Sequence, residues 1–287
     1  MSATRAAPNA SQEALGGLSG KTLFITGASR GIGKAIALRA ARDGANVVVA
    51  AKTASADPRL EGTIYTSAAD VEAAGGRALP VILDVRDDEQ ILEAVAAAAE
   101  FFGGIDVLVN NASAIELQPA ESISMKRYDL MMDINVRGAF ACSKACLPYL
   151  KRSSNAHILT LSPPINLNPR WFSSHLTYTA SKYAMSLVSY GLAHELARFG
   201  IASNALWPRT LIATAALAIA APAQRDRARV PQVMADAAHW IVTRPAARLS
   251  GQFLIDEDVL RDSGVSDMAR YSVCPEIEPQ LDLFLDG

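Results

Sequence analysis

The chain has little net charge, few cysteines, few aromatics and no long apolar run, and these shortages close off several classes of function. The formal charge is −2 over 287 residues with a pI near 6.1, and Lys and Arg cluster nowhere, so no electrostatic footprint for nucleic acid is present. Three cysteines, Cys142, Cys146 and Cys274, cannot form a fully paired disulfide framework. That fits a reducing compartment, and a cytoplasmic location is expected. Cys142 and Cys146 lie one helical turn apart without His or further Cys at ligand spacing, so they are expected in the core or at an interface, and no metal site is expected. The apolar stretch Ala213 to Ala221 falls far short of the roughly 20 residues that cross a bilayer, and no membrane span is expected. Residues 1–18 are rich in Ala, Ser, Gly and Asn and lack both an apolar signal core and an Arg cluster. They read as a flexible tail, leaving 19–287 as one domain.

What is present is a globular composition, 50% hydrophobic and 20% charged. Leu23 to Thr26, Asn46 to Ala50, Ala78 to Asp84 and Ile105 to Asn110 are short apolar runs bounded by turn or polar residues, the pattern of strands. Helical patterns fill the intervals at Ile32 to Asp43, Ser67 to Ala74 and Asp88 to Phe102. Further strands are expected at His157 to Leu161, Ala202 to Leu206 and Gln252 to Ile255. This alternation predicts an α/β fold: a single Rossmann-type, doubly wound parallel sheet with helices on both faces.

Two motifs carry chemistry. Thr26-Gly27-Ala28-Ser29-Arg30-Gly31-Ile32-Gly33 sits where the first strand hands over to the first helix. Glycines there allow positive φ and close approach of backbone to a pyrophosphate, while the helix N-terminus supplies donors and positive potential. The spacing is Gly-x-x-x-Gly-x-Gly rather than Gly-x-Gly-x-x-Gly. The second motif is Tyr178-Thr-Ala-Ser-Lys182, whose separation of four puts phenol and amine on one helix face. Ser162 ends a strand upstream, and Asn135 precedes a helix. Together the four residues supply a proton relay.

These motifs, taken in order with Asn110-Asn111-Ala112, resemble the short-chain dehydrogenase/reductase family over about Leu18 to Asp256. The segments Ala50-Ala51-Lys52-Thr53, Gly62-Thr63-Ile64-Tyr65, Leu161-Ser162-Pro163-Pro164 and Ala205-Leu206-Trp207-Pro208 are similar to its hydroxysteroid dehydrogenase-like subgroup. Members of that subgroup can carry a C-terminal sterol-carrier domain, which is not expected here. The resemblance implies hydride transfer between a nicotinamide cofactor and a small-molecule carbonyl or alcohol. Tyr178 is then the proton donor or acceptor, Lys182 the cation that favours its anion and holds the nicotinamide ribose, Ser162 the ligand of the substrate oxygen, and Asn135 the holder of a water that links Lys182 to solvent.

Cofactor contacts are implied at Gly27, Ser29, Arg30, Gly31, Ile32 and Gly33 in the turn, and at Asp84 and Val85 for the adenine. Asn111 and Ala112 pass the ribose, where the family's usual Gly is Ser113. Pro208, Thr210, Ile212 and Thr214 approach the nicotinamide, where the usual Pro-Gly is Pro208-Arg209. With Ala51 in place of an acid at the end of the second strand, Lys52 and Arg30 predict NADP(H) over NAD. Pairing of helix Ala139 to Leu150 with the helix after Tyr178 implies a homodimer or homotetramer. A non-catalytic NADP-binding regulator and an epimerase or dehydratase on the same fold are the alternatives. His157, His194 and His239 are expected to be structural or on the surface, and His175 either structural or lining the substrate site. The apolar insertion Pro163 to Phe172 and the stretch Leu211 to Ala221 are expected to wall a hydrophobic substrate pocket.

Overall fold

The computed structural model describes residues 17–57 and 61–286. The expected tail falls at 1–16 outside the described residues, but Leu18 does not belong to it. Leu18 is 3% exposed in the core, and its amide donates to Asp43 Oδ2 at 3.0 Å.

In chain order the elements are β1 (Thr22–Thr26), α1 (Gly31–Ala41), β2 (Asn46–Ala51), α2 (Ile64–Ala73), β3 (Arg77–Ile82), α3 (Asp88–Phe102), β4 (Val107–Asn110), α4 (Met125–Met131), α5 (Ala139–Leu150), β5 (Ala156–Thr160), α6 (Leu176–Glu195), β6 (Ile201–Trp207), α7 (Ala215–Ala220), α8 (Gln232–Val242), β7 (Phe253–Ile255) and α9 (Asp256–Asp262). The seven strands form one sheet in the order β3-β2-β1-β4-β5-β6-β7, and every pairing is parallel. This is the doubly wound arrangement expected from the alternating pattern.

Strand periodicity sorts the core into two layers. Leu23 and Ile25 of β1 face one side with Val47, Val49, Val107 and Val109, where α1, α2 and α8 cover them. Phe24, Val48 and Leu108 face the other side, under α3, α5 and α6. Cys142 and Cys146 are buried in this second layer as expected. Helix boundaries follow local chemistry. Asp87 caps α3 by accepting from the amides of Glu89 and Gln90, and Gly103 ends that helix in the left-handed region at φ 87.

Strand order reverses between β1 and β4, so the loops leaving these strands diverge and open a crevice at their carboxyl ends. The Gly-rich turn follows β1 and Asn111-Ala112 follows β4, which brings both to this crevice.

Candidate active site

The turn after β1 is built by its neighbours. Thr26 Oγ1 accepts from the amides of Asn111 and Ala112, both at 3.0 Å, and Asn111 Nδ2 donates to the carbonyls of Thr26 at 2.8 Å and Gly27 at 3.1 Å. Gly27 takes φ 68 and Gly31 φ 58, in the left-handed region. A Cβ on Gly33 would lie 2.5 Å from Asn111 Nδ2 and 2.8 Å from the Gly27 carbonyl oxygen, so only glycine lets α1 start this close to β4. Asn111 thus braces the turn. Ser29 is buried within it, and Ile32 is half-buried at the start of α1. The α1 N-terminus has no side-chain cap and no acidic residue in its first turn, leaving its amide donors and positive end free of a protein anion.

Beside this turn lies a 490 Å³ groove lined by Arg30, Gly31, Lys34, Thr214, Leu217 and Arg225, among others. Thr214 caps α7, and its Cγ2 would sit 3.5 Å from a Cβ on Gly31. Helix α7 therefore flanks the Gly-rich turn. It buries no side chain and leaves Ile219 73% exposed, so the apolar wall expected from Leu211 to Ala221 does not form there.

The four relay residues come from three separate places in the fold. Ser162 follows β5, Tyr178 and Lys182 lie one turn apart on α6, and Asn135 sits in a π-helical turn, Met132–Gly138, between α4 and α5. Wide turns of this type recur at functional sites. Asn135 uses its whole amide internally. Its Oδ1 accepts from the Ala114 amide at 2.8 Å and Ser113 Oγ at 3.1 Å, and its Nδ2 donates to the Ala114 carbonyl at 2.9 Å and Ser181 Oγ at 3.0 Å. The serine in place of the usual glycine is thereby tied to this clip. Lys182 Nζ donates instead to the Leu161 carbonyl at 2.6 Å and lies 5.2 Å from the centre of the Trp207 ring. Any water link from Lys182 past Asn135 has to use the latter's backbone, since its side chain is committed.

Ser162 Oγ is buried without a protein partner, as is Thr210 Oγ1. An orphaned hydroxyl in a core is costly unless a ligand completes it, and this one stands at the position expected to hold a substrate oxygen. Burial raises the Tyr178 phenol well above its usual range, and the Asp282 carboxylate adds to the rise. The same burial pushes Lys182 down to about 7, against the attraction of Asp282. The expected lowering of the phenol by Lys182 is therefore outweighed by desolvation in this state, and the phenol is held as the neutral acid.

Other expected contacts are placed less simply. Arg30 lies over the groove, where its fork donates to the carbonyls of Glu61 at 2.9 Å and Gly62 at 2.8 Å and forms no ion pair among those described. Lys52 is exposed just past β2, near enough to Asp84 to lower its carboxyl. Asp84 does not present a free carboxylate to an adenine, because Arg86 grips both its oxygens at 2.5–3.1 Å. Val85 is buried against Gly138. Pro208, Thr210 and Ile212 are all buried beyond β6, where Arg209 pairs through both oxygens with Asp258 at 2.6 and 2.7 Å. His175 is buried before α6 with Nδ1 3.0 Å from Thr179 Oγ1, and its ring stacks edgewise on Phe284. His157 and His239 are packed in the frame, held by the Arg244 carbonyl and Asp43. Of the insertion's apolar residues only Trp171 and Phe172 pack inward, while Ile165 is 37% and Leu167 75% exposed.

The residues around the turn and relay fit a dinucleotide. The glycine cradle, the uncapped helix end and the groove would take its phosphates, and Lys182 and the unpartnered Thr210 hydroxyl would be free to hold a nicotinamide riboside. No group of three or more His, Cys, Asp or Glu among the described residues is placed to hold a metal, and no described helix is long and apolar enough to cross a membrane.

The short chain dehydrogenase family model matches residues 21–223. The hydroxysteroid dehydrogenase-like protein 2 of Xenopus laevis is 56% identical over 94% of this chain, and that of Homo sapiens is 53% identical over the same share. The chain spans 65% of the length of each. A structure from Xanthomonas campestris superposes with TM-score 0.92 at 55% identity, covering 94% of this chain and 100% of the other. A short chain dehydrogenase from Mycobacterium thermoresistibile gives TM-score 0.90 at 50% identity, covering 94% and 96%.

Proposed function

The chain belongs to the short-chain dehydrogenase family of oxidoreductases, within its hydroxysteroid dehydrogenase-like subgroup, and from that premise we propose that it reduces the carbonyl of a hydrophobic small molecule, or oxidises the alcohol, with NADP(H). The observation that carries this reading is the buried, unpartnered Ser162 hydroxyl just past β5, the strand that packs against the Tyr178–Lys182 helix.

The nicotinamide, when bound, supplies or accepts the hydride. Ser162 orients the substrate oxygen by donating to it, and Tyr178 gives that oxygen its proton, a task suited to a phenol held neutral by burial. Lys182 then favours the phenolate left behind. Trp171, Tyr183 and Trp207 exclude water around Tyr178. At the adenosine end, Ala51 offers no carboxylate to a 2′-hydroxyl, while Arg30 and Lys52 offer cations to a 2′-phosphate. Assembly as a homodimer or homotetramer through α5 and α6 belongs to the same proposal, because Phe140, Leu187 and Tyr190 stand 44–57% exposed there. A sedimentation mass of a single chain would remove it.

The test of function is a panel of aldehydes, ketones and hydroxyacyl thioesters run with NADPH and NADH side by side. NADPH is expected to be oxidised with a kcat/KM at least about tenfold above NADH, the size of one lost charge-assisted contact. Equal rates with both cofactors would refute the NADP assignment, and no oxidation across the panel would refute the activity.

A further inference from the structure

The chain does not stop at the sheet edge after α9 but doubles back over the active site. Gln280 N donates to the Arg227 carbonyl at 2.8 Å, Leu211 N to the Gln280 carbonyl at 2.9 Å and Asp282 N to the Arg209 carbonyl at 3.0 Å, which fastens this strap to the segments following β6. On the opposite side Asn166 Nδ2 donates to the Phe284 carbonyl at 3.0 Å and Arg170 to the Leu285 carbonyl at 2.8 Å. The strap therefore bridges the two walls that flank Tyr178.

At its centre the Phe284 side chain is fully enclosed, 0% exposed. Its ring centre lies 5.2 Å from Tyr183, 5.7 Å from Trp207, 5.8 Å from Trp171 and 6.1 Å from the reacting Tyr178. Phe284 also adopts φ 73, the sole non-glycine residue in the left-handed region among those described. A side chain with a Cβ takes that conformation at a cost, so burial of the ring holds the backbone there. With the ring seated, Ser162 is 1% and Tyr178 5% exposed, and a carbonyl in solution has no route to both hydroxyls.

An aromatic ring nested beside Tyr178, on a segment with strained backbone that no regular secondary structure holds, occupies the position of a substrate's own apolar group. We infer that Phe284 is an internal stand-in for the substrate. The nest of Trp171, Tyr183 and Trp207 is a subsite for an aryl or similarly sized apolar group close to the reacting carbonyl, and it becomes available when residues 281–286 lift. Assignment of this subsite to the substrate rests on the oxidoreductase reading above. Competition by the tethered ring multiplies the affinity for such a ligand by the fraction of chains in which the strap is open, and so weakens it.

Calorimetric titration of the full chain with 2-phenylethanol, which has the aryl group and no reacting carbonyl, tests this, with n-butanol as the non-aryl control. Phe284→Ala is expected to bind 2-phenylethanol about tenfold more tightly than the native chain, with a much smaller change for n-butanol. The variant Asn166→Ala, which removes the side-chain bonds to the Phe284 carbonyl and Asp286 and touches the nest only through a backbone that alanine retains, is expected to tighten binding severalfold. It carries the test by the same criterion if Phe284→Ala does not fold. Unchanged or weaker binding in the folded variants overturns the inference, because a ring that merely lines a pocket would lose affinity on removal. Tightening without NADPH oxidation on any carbonyl compound would leave the subsite and sink the oxidoreductase reading. Turnover without tightening would do the reverse.

Discussion

At the scale of single residues, burial decides more than pairing does. Tyr178 and Lys182 are one helical turn apart, yet the phenol is raised and the amine lowered because both are desolvated, and the half-buried Asp282 adds to the rise of the phenol while opposing the fall of the amine. Asp282 is itself raised to about 7 by burial. Order and spacing in the sequence single out Ser162, Tyr178 and Lys182 as candidates, and the fold places them beside one another. Their electrostatics were not legible there, since Asp282 lies 100 positions from Lys182 in the chain and no local pattern announces a residue that arrives from the end of the molecule. His157 shows the same rule in the frame. It is 1% exposed, donates through Nε2 to the Arg244 carbonyl, and is lowered to about 4 by desolvation. Between pH 6.5 and 4 the unfolded chain binds a proton at this site that the folded chain refuses, so stability falls as pH drops through that window and levels off for this group below 4. The loss is on the order of 3 kcal/mol. In urea unfolding at a series of pH values, His157→Gln is expected to flatten that part of the profile, and a parallel profile would remove His157 as its source.

At the scale of elements, the sheet and several helices could be read from the sequence because the central strands alternate between the two core layers and helices such as α3 have a marked start and stop. The Gly-rich turn was legible for a related reason, since glycine is demanded there by contact. Gly33→Ala is expected to displace either Asn111 or the Gly27 carbonyl, costing about 1–3 kcal/mol of stability. It should also weaken NADPH binding, measured by nucleotide fluorescence alongside the thermal midpoint. A variant with native stability and affinity would mean that the close approach of α1 to β4 is not needed. The strap was illegible. Residues 265–286 contain only a 3-10 turn at Ala269–Tyr271 and isolated backbone bridges, so they present no periodicity, and Phe284 follows no motif. The walls beside the relay misled for a different reason. An apolar residue in a Pro-rich insertion has no fixed face, and Leu167 turned outward while Trp171 turned in.

At the scale of the whole molecule, one crevice at the strand-order reversal gathers a glycine-rich turn at an uncapped helix end, a desolvated phenol that we propose as proton donor, and an enclosing strap of residues 281–286. These parts suit a reaction in which hydride and proton pass to the two ends of one carbonyl away from water. The alternatives share the fold but not the outcome. An epimerase returns the hydride and consumes no net cofactor, and a regulator transfers none. The most direct measurement is therefore isotopic: incubate the chain with NADPH deuterated at the transferable C4 position and a carbonyl substrate found in the panel, then follow the label by mass spectrometry. The account predicts one deuterium on the carbinol carbon of the product for each cofactor oxidised, and no labelled product from Tyr178→Phe, which still binds NADPH. Labelled product from Tyr178→Phe at the native rate, or cofactor binding with no deuterium in any product, would contradict it.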